Sequence, residues 1–345
     1  MANMNIRKSR FYVDEINYLL SRGVSQNGNF DVLATDSGAY KMGTFTTGSE
    51  AELFDMKPLN KCTFDTSADP DGHVMVNLNT QNSLSKISFV AILNHNMSSA
   101  DAKFRICSSD TEAHIQAVDM GSATAVPCTE VVNGGSADGS TNIITPTADG
   151  STIVRFTESD DIYWGIQFEG DSGNEFGSTD LFVGCILIGE YYEIPHAPDL
   201  SAKRSIVFDK VNIKESVGGQ RYSNMTSFGR QVSSTTRSPF SRNVLNERIH
   251  GGRIVYDLNY SYLNSTDVMP NQYYNVQNTD DAVVVDVWNQ TNGNHLPFIF
   301  SCDSSSEGAD AESEHIFARF GQESLEMTQV ASDVFNVNMK IEEEF

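Results

Sequence analysis

Hydrophobic and polar residues alternate in short runs along most of this chain, and clusters of Gly, Asn, Asp, Ser and Thr separate the runs. A period of two places successive side chains on opposite faces of a strand, and such clusters are typical of turns. The cleanest alternation covers residues 254–262, where Ile254, Tyr256, Leu258, Tyr260 and Tyr262 fall on one face. The pattern predicts an all-β protein.

Eleven further runs of this kind predict strands. They cover residues 74–78, 87–93, 103–107, 152–156, 162–168, 182–188, 206–213, 282–288, 297–302, 316–320 and 334–341. Residues 182–188 are apolar on both faces, so that strand is predicted to be central and covered on both sides. Trp164 alternates with apolar neighbours and is predicted to lie in a core.

One segment has helical rather than strand spacing. Ile16, Leu19 and Leu20 predict a short amphipathic helix within residues 11–23, and Gly23 is suited to end it. Two prolines, Pro195 and Pro198, stand where periodicity is lost and mark a boundary. We therefore predict an N-terminal arm and helix at 1–25, a jelly-roll-like β-sandwich at 26–194 and a second β-sandwich at 195–345.

Composition narrows the class of protein. The 345 residues suffice for two domains, and 23 Lys+Arg against 46 Asp+Glu give a net charge of −23. An acidic surface disfavours direct nucleic-acid binding, because such binding requires positive charge to neutralise phosphates. No apolar run is long enough for membrane insertion, and no secretory signal is recognisable, so we expect synthesis in a cytoplasm with reduced cysteines.

Charge is unevenly spread along the chain. Residues 203–253 hold ten basic and three acidic residues, a net charge of +7, which leaves 13 basic and 43 acidic residues, a net charge of −30, for the remainder. Residues from about 214 to 253 are predicted to form a long loop. Two interpretations are open: a solvated basic loop, or an assembly arm that docks on an acidic neighbour. The candidate interface residues are Arg221, Arg230, Arg237, Arg242, Arg248 and Arg253.

Candidate chemistry is sparse. No phosphate-binding, dinucleotide-binding, zinc-protease or serine-nucleophile motif is present, so we predict no enzyme activity and no cofactor. His95 ends a predicted strand and is interpreted as a turn histidine held by its asparagine neighbours.

Two groups of residues offer ligand chemistry. Asp65, Asp69 and Asp71 have oxygen ligands at loop-like spacing, so a calcium site competes there with a plain Asp/Pro/Gly turn. Tyr273 and Tyr274 lie in a polar segment and could stack on sugar rings.

Several segments carry a family resemblance. Residues 11–18 resemble the opening of structural proteins of tailed bacteriophages, and residues 89–96 with 103–110 resemble a strand-turn-strand unit of galactose-binding-like jelly rolls in such proteins. Residues 296–300, 317–320 and 341–345 are similar to the last strands of phage tail and baseplate sandwiches. The resemblance implies a non-enzymatic virion component, of the kind whose members form rings around the tail axis, and it transfers no catalytic residues.

Two functions stay open. The first is a structural component of a phage virion, a ring- or collar-forming tail or baseplate protein whose partners are further copies of itself and other virion proteins. The second is a glycan-binding module, for receptor binding or capsid decoration, with glycoside hydrolysis as its catalytic variant.

Overall fold

The structure of the protein is a computed structural model. It describes residues 7–23, 30–33, 45–68, 70–80, 86–115, 124–132, 135–171, 175–207, 213–223, 240, 253–270, 281–303 and 315–344, with backbone only for 30–33 and 223.

The first-half strands are β1 (Arg10–Asp14), β2 (Phe30–Leu33), β3 (Phe45–Thr47), β4 (Cys62–Phe64), β5 (Val74–Asn79), β6 (Ile87–His95), β7 (Ala102–Ser109), β8 (Thr124–Ala125), β9 (Cys128–Val132), β10 (Gly135–Ala137), β11 (Ile143–Pro146), β12 (Gly150–Ser159), β13 (Tyr163–Gly170), β14 (Phe182–Val183) and β15 (Cys185–Glu193). The second-half strands are β16 (Lys203–Val207), β17 (Ile213–Glu215), β18 (Arg221–Ser223), β19 (Arg253–Asn264), β20 (Phe298–Ser301), β21 (His315–Phe320), β22 (Met327–Ala331) and β23 (Val334–Glu343). The helices are α1 (Glu15–Ser21), α2 (Glu112–Ile115), α3 (Ser265–Val268), a 3₁₀ helix (Glu50–Phe54) and a π-helix (Val283–Asn289).

The strands confirm the prediction of an all-β protein. Over the described ranges they form two large antiparallel sheets. Sheet A has eleven strands in the order β16-β19-β23-β21-β20-β1-β15-β6-β12-β9, with β22 also paired to β23. Sheet B has seven strands in the order β10-β11-β7-β13-β5-β2, with β8 beside β7. A three-stranded sheet (β14-β4-β3) and a two-stranded hairpin (β17-β18) complete this set.

Strand β1 joins the two halves of the chain. Tyr12 pairs with Tyr191 of β15 on one side and with Ile299 of β20 on the other, so sheet A continues across residues 194 and 195. Close packing here requires a glycine, because a Cβ on Gly189 would lie 2.0 Å from the carbonyl oxygen of Val13. The boundaries predicted at 25/26 and 194/195 stay predictions, but residues 10–14 are a central strand rather than part of an arm.

A core fills the space between sheets A and B in the first half. Ile188 and Val90 face it from sheet A, and Trp164 and Phe168 face it from sheet B. Trp164 is fully buried and stacks on Phe156 at 5.4 Å between ring centroids, as its predicted core position requires.

A second core lies on the same face of sheet A, in the second half. Phe11 and Phe300 meet there at 5.1 Å, and Trp288 of the π-helix packs on Phe320 at 5.0 Å. Ile188 and Tyr192 are four residues apart on β15 and therefore point to the same face of sheet A. Ile188 belongs to the first core and Tyr192 to the second, so both cores lie on that face.

The opposite face of sheet A is also apolar at its centre. Tyr12, Phe89, Leu187 and Ile299 are buried there, and Phe240 packs against His315 at its rim. Strand β15 is therefore central and covered on both faces, as predicted for residues 185–188, whereas Phe182 and Val183 form β14 in the three-stranded sheet.

One predicted strand is divided: Ile206 and Val207 end β16 of sheet A, whereas Ile213 begins β17 of the separate hairpin. Strands β17 and β18 also lie within the long loop predicted from about 214 to 253.

Two other elements differ from prediction in their conformation. Residues 11–14 form a strand, and helix α1 begins only after Asp14, whose carboxylate accepts a hydrogen bond from the backbone of Asn17 at 2.7 Å. Its end is as predicted, since Gly23 follows with φ of 82°. The second difference is at 282–288, predicted as a strand from its valines and found as the π-helix. Val283, Val284 and Val287 all enter the second core, and this burial outweighs the β-propensity of valine.

None of the helices in the described ranges is long and apolar enough to cross a membrane.

Candidate functional site

An exposed tyrosine stands on a bulge of strand β19. Tyr260 pairs with Val337 and Leu263 with Phe335, so Ser261 and Tyr262 together oppose Asn336. Tyr262 has φ of 64°, a conformation that bulky residues rarely adopt, and its side chain is 75% exposed. Bulges re-aim side chains, and a strained residue that the fold maintains is a candidate for function.

Three asparagines lie on the same face of the sheet as this tyrosine. Asn336 accepts a hydrogen bond from the backbone N–H of Tyr262 at 3.2 Å, which holds the bulge. Asn259 pairs with Asn338 across β19 and β23. The next residues, Tyr260 and Val337, face the second core, so alternation turns the two asparagines to the opposite face, where both are exposed. We call Asn259, Ser261, Tyr262, Asn336 and Asn338 the Tyr262 face.

The loop before β16 borders the Tyr262 face. The Ser261 hydroxyl donates to the Asp199 carboxylate at 2.7 Å, and the Asn259 amide donates to the Ser201 hydroxyl at 3.2 Å. The face thus combines one free aromatic ring with amides, which donate and accept hydrogen bonds, on a rigid sheet. This arrangement can bind a ligand that has both an apolar patch and hydroxyl groups.

Sequence alone placed the Tyr262 side chain on the wrong face of the strand. Its alternation with Tyr256, Leu258 and Tyr260 predicted an inward ring, but the extra residue of the bulge reverses the phase, and Leu263 is buried instead. Nothing in the sequence marks the position of the bulge.

A charged cluster with three buried members and one exposed member, Asp281, lies between the two cores. The Lys86 ammonium is 2.8 Å from Asp281, 3.6 Å from Asp286 and 3.8 Å from Glu190, measured to the nearest carboxylate oxygens. Lys86 immediately precedes β6, Glu190 lies on β15, Asp281 precedes the π-helix and Asp286 lies within it. We call these four residues the Lys86 cluster. In the described part of the chain, Glu190, Asp281 and Asp286 are the one group of three or more ligating side chains close enough to share a metal ion.

One ammonium cannot neutralise three carboxylates. Burial raises the pKa of Asp286 to about 7, against the opposing effects of Lys86 and of the Ala282 backbone N–H, which donates to Asp286 at 2.7 Å. Burial, together with the nearby charge of Asp286, also raises the pKa of Glu190 well above its usual range. Lys86 lies close to all three carboxylates, in the position a metal ion would take, so the cluster is an internally paired ion group.

Sequence reasoning missed the Lys86 cluster. Its residues come from three distant segments of the chain. The sequence signal that could have revealed it is an acidic residue in or next to an apolar run, as at Asp286 among four valines and at Glu190 after residues 185–189.

A third polar group stiffens sheet A. Arg155 forms an ion pair with Glu130 and lies 3.6 Å over the ring of Tyr191. Arg10 approaches Glu130 at 3.7 Å and Glu193 at 3.9 Å. The group connects strands β9, β12, β15 and β1, and its charges face one another, which suits a structural role.

Comparison with known proteins gives structural matches only. No family model matches the sequence, and no curated protein matches it. Among solved structures, the chain is similar to CBM32-1 from a family 31 glycoside hydrolase from Clostridium perfringens, with 13% identity and a TM-score of 0.31 over 47% of this chain and 94% of that one. It is also similar to CpGH89CBM32-6 (12%, TM-score 0.27, 47% and 94%) and to CpGH89CBM32-4 (11%, TM-score 0.29, 52% and 100%), both produced by Clostridium perfringens.

These matches are carbohydrate-binding modules with a galactose-binding-like jelly roll, the class that residues 89–96 and 103–110 resemble. Nothing in the comparisons supports the resemblance to phage tail proteins. At these TM-scores the similarity carries no conclusion about what this chain binds.

The predicted ligand residues are only partly described. Asp65 is half-buried and Asp71 exposed, whereas Asp69 lies outside the described residues, so the calcium site stays a prediction. Tyr273 and Tyr274 also lie outside the described residues.

The predicted arginine interface is described at two positions. Arg221 is on the exposed hairpin, where it pairs with Glu215 at 3.3 Å, and Arg253 begins β19 with a half-buried side chain. Arg230, Arg237, Arg242 and Arg248 lie outside the described residues.

His95 has a structural role. Its Nδ1 accepts a hydrogen bond from the Met97 backbone and its Nε2 is 2.9 Å from the Thr152 hydroxyl, so the partners are not the neighbouring asparagines that the sequence suggested. Burial lowers the pKa of His95 to about 3, which keeps the ring neutral.

Proposed function

We propose that this protein is a non-catalytic glycan-binding protein and that the Tyr262 face is its binding surface. The observation that carries the proposal is the exposed ring of Tyr262, held in a strained conformation among amides. A sugar ring has a C–H face that packs on an aromatic ring and hydroxyls that exchange hydrogen bonds with amides. Binding sites of this kind combine an apolar platform with a few placed polar groups.

The positions of the carboxylates favour binding without hydrolysis. Glycoside hydrolysis requires two carboxyl groups on either side of the scissile bond. On the rim of the Tyr262 face the Asp199 carboxylate accepts a hydrogen bond from Ser261. Glu190 and Asp286, whose pKa values are raised, are buried beside Lys86 rather than exposed on the Tyr262 face.

The test is a glycan array with neutral, amino-sugar and sialylated oligosaccharides, followed by calorimetric titration of those that bind. Tyr262→Gly removes the ring but suits a positive φ, so we expect at least tenfold weaker binding, about 1.4 kcal/mol, by a folded protein. Asn338→Ala should weaken binding several-fold. Tyr222→Ala, which removes another exposed tyrosine, is the control and should bind normally.

Two results would refute the proposal. One is a wild-type protein that binds no glycan on the array. The other is a Tyr262→Gly variant that binds as the wild type does, which would assign any glycan binding to another surface.

Assembly into a virion, as a ring or collar component, is our second proposal. One observation favours it: the hairpin β17–β18 presents apolar and basic side chains to solvent. Cofractionation of the protein with purified phage particles from an infected host is its test, and absence from the particles would contradict it.

A further inference from the structure

The hairpin β17–β18 forms a sheet of its own. Ile213 pairs with Ser223, Lys214 with Tyr222 and Glu215 with Arg221, and the turn between the strands is closed by a hydrogen bond from Gly219 to Ser216 at 2.9 Å. No other strand in the described ranges pairs with it. Ile213 is 60% exposed and Tyr222 56%, and Val217 at the tip is fully exposed. An isolated two-stranded hairpin is marginally stable in water, so a partner surface would stabilise this one.

Exposed apolar residues are concentrated in and beside this hairpin. Six of the ten exposed large hydrophobic side chains in the described part of the chain lie between residues 200 and 222. They are Leu200, Ile206, Val207, Ile213, Val217 and Tyr222. Ile206 and Val207 end β16, which is the outermost strand of sheet A at this end among the described residues, and the edge of such a strand offers backbone groups for pairing. Clusters of this kind mark interaction surfaces.

Charge indicates the partner. Residues 203–253 carry a net charge of +7, and the rest of the same chain carries −30. A second copy of the protein therefore offers the surface that is electrostatically complementary to this segment, and opposite charges speed encounter and fix register.

We propose that the hairpin β17–β18, together with the edge of β16, is a docking arm that binds a second copy of this protein. The proposal goes beyond glycan binding and is independent of it.

The contact is head-to-tail. Two arms brought together by a twofold axis would place like charges opposite each other, which costs free energy. An arm on the acidic surface of the next copy avoids this, and each copy then has one arm and one acceptor surface. Such heterologous contacts close into rings or continue as filaments.

The test measures the mass of the full-length protein by light scattering over a concentration series, at low and at high salt. We expect a mass above the 38.0 kDa monomer at low salt that falls as salt rises. The double variant Ile213→Ser/Tyr222→Ser should be a monomer throughout. The matched control Met327→Ser/Val330→Ser removes exposed apolar residues of β22, outside the arm, and should assemble as the wild type does.

A mixing experiment tests the head-to-tail geometry. The arm variant keeps its acceptor surface, so a mixture with wild-type protein should have a mean mass below the weight average of the two proteins measured separately. A mean mass equal to that average would overturn the head-to-tail contact. A wild-type protein that stays at 38.0 kDa, or an arm variant with the wild-type mass, would overturn the docking arm itself. Glycan titration of the same arm variant should be normal, because the Tyr262 face is unchanged.

Discussion

Tyr262 combines a strained backbone with an exposed side chain. A left-handed conformation costs an L-residue about 1–2 kcal/mol, whereas glycine adopts it freely but loses about 0.5–1 kcal/mol of chain entropy on folding. We therefore predict that Tyr262→Gly leaves the free energy of unfolding unchanged or slightly raised, as measured by urea denaturation. Tyr260→Gly, which removes a buried ring two residues earlier, is the comparison and should destabilise strongly. A large loss of stability in Tyr262→Gly would show that the ring itself supports the fold.

Lys86 is the single cation of its cluster. Its side chain is 5% exposed, and removing one partner of a buried ion group typically costs about 3–5 kcal/mol, because the remaining charges lose their counter-ion. We predict a loss of this size in the free energy of unfolding for Lys86→Met. Lys57→Met is the control: that ammonium is mostly exposed beside Asp55, so the change should stay within about 0.5 kcal/mol.

The same cluster predicts a pH dependence of stability. The pKa of Asp286 is about 7 in the folded protein, and that of Glu190 is also raised, so the folded state holds protons that the unfolded state has released. The contribution of the cluster to stability then falls as pH rises from the ordinary carboxyl range to about 7, whereas His95, whose pKa burial lowers to about 3, contributes in the opposite direction. In Asp286→Asn this loss should be smaller, as measured by urea denaturation at about pH 5 and about pH 8. The exposed Asp257→Asn should behave as the wild type; equal pH slopes in both variants would contradict the prediction.

At the scale of elements, the positions of most strands could be predicted from the sequence, whereas the π-helix, the bulge and the pairing of distant strands could not. Apolar runs bounded by turn residues place β5, β6, β7 and β13 within two residues of their observed limits, although β5 and β6 are buried on both faces. The π-helix could not be predicted, because its valines are buried by packing on the second core rather than in a ladder. The bulge at Tyr262 and the pairing of residues 10–14 with β20 also depend on contacts between distant segments.

Gly189 limits the pairing of β1 with β15. Because a Cβ there would lie 2.0 Å from the Val13 carbonyl oxygen, Gly189→Ala must displace one of the two strands, and we predict a loss of about 1–3 kcal/mol in the free energy of unfolding. Gly139→Ala is the matched control, since nothing lies within 4 Å of its Cβ position. Thermal or urea denaturation of both variants checks this, and equal stabilities would contradict the packing argument.

At the scale of the whole molecule, the candidate sites depend on strand register and on contacts between distant segments, which composition does not specify. The acidic balance and the basic segment were visible in the sequence, and they led to the docking arm. The Tyr262 face and the Lys86 cluster were not, since each is assembled by strand register and by segments far apart in the chain.

The position of β1 has a consequence for the order of folding during synthesis. A ribosome makes β1 before any other described strand, and β15 can pair with it once residue 193 has emerged. Its second neighbour, β20, is not available until residue 301. Until then Phe11, whose partners Phe298 and Phe300 are not yet made, stays uncovered next to an open strand edge. Such edges can recruit other chains, so we expect the nascent protein to be open to aggregation at this edge while residues 194–301 are being made.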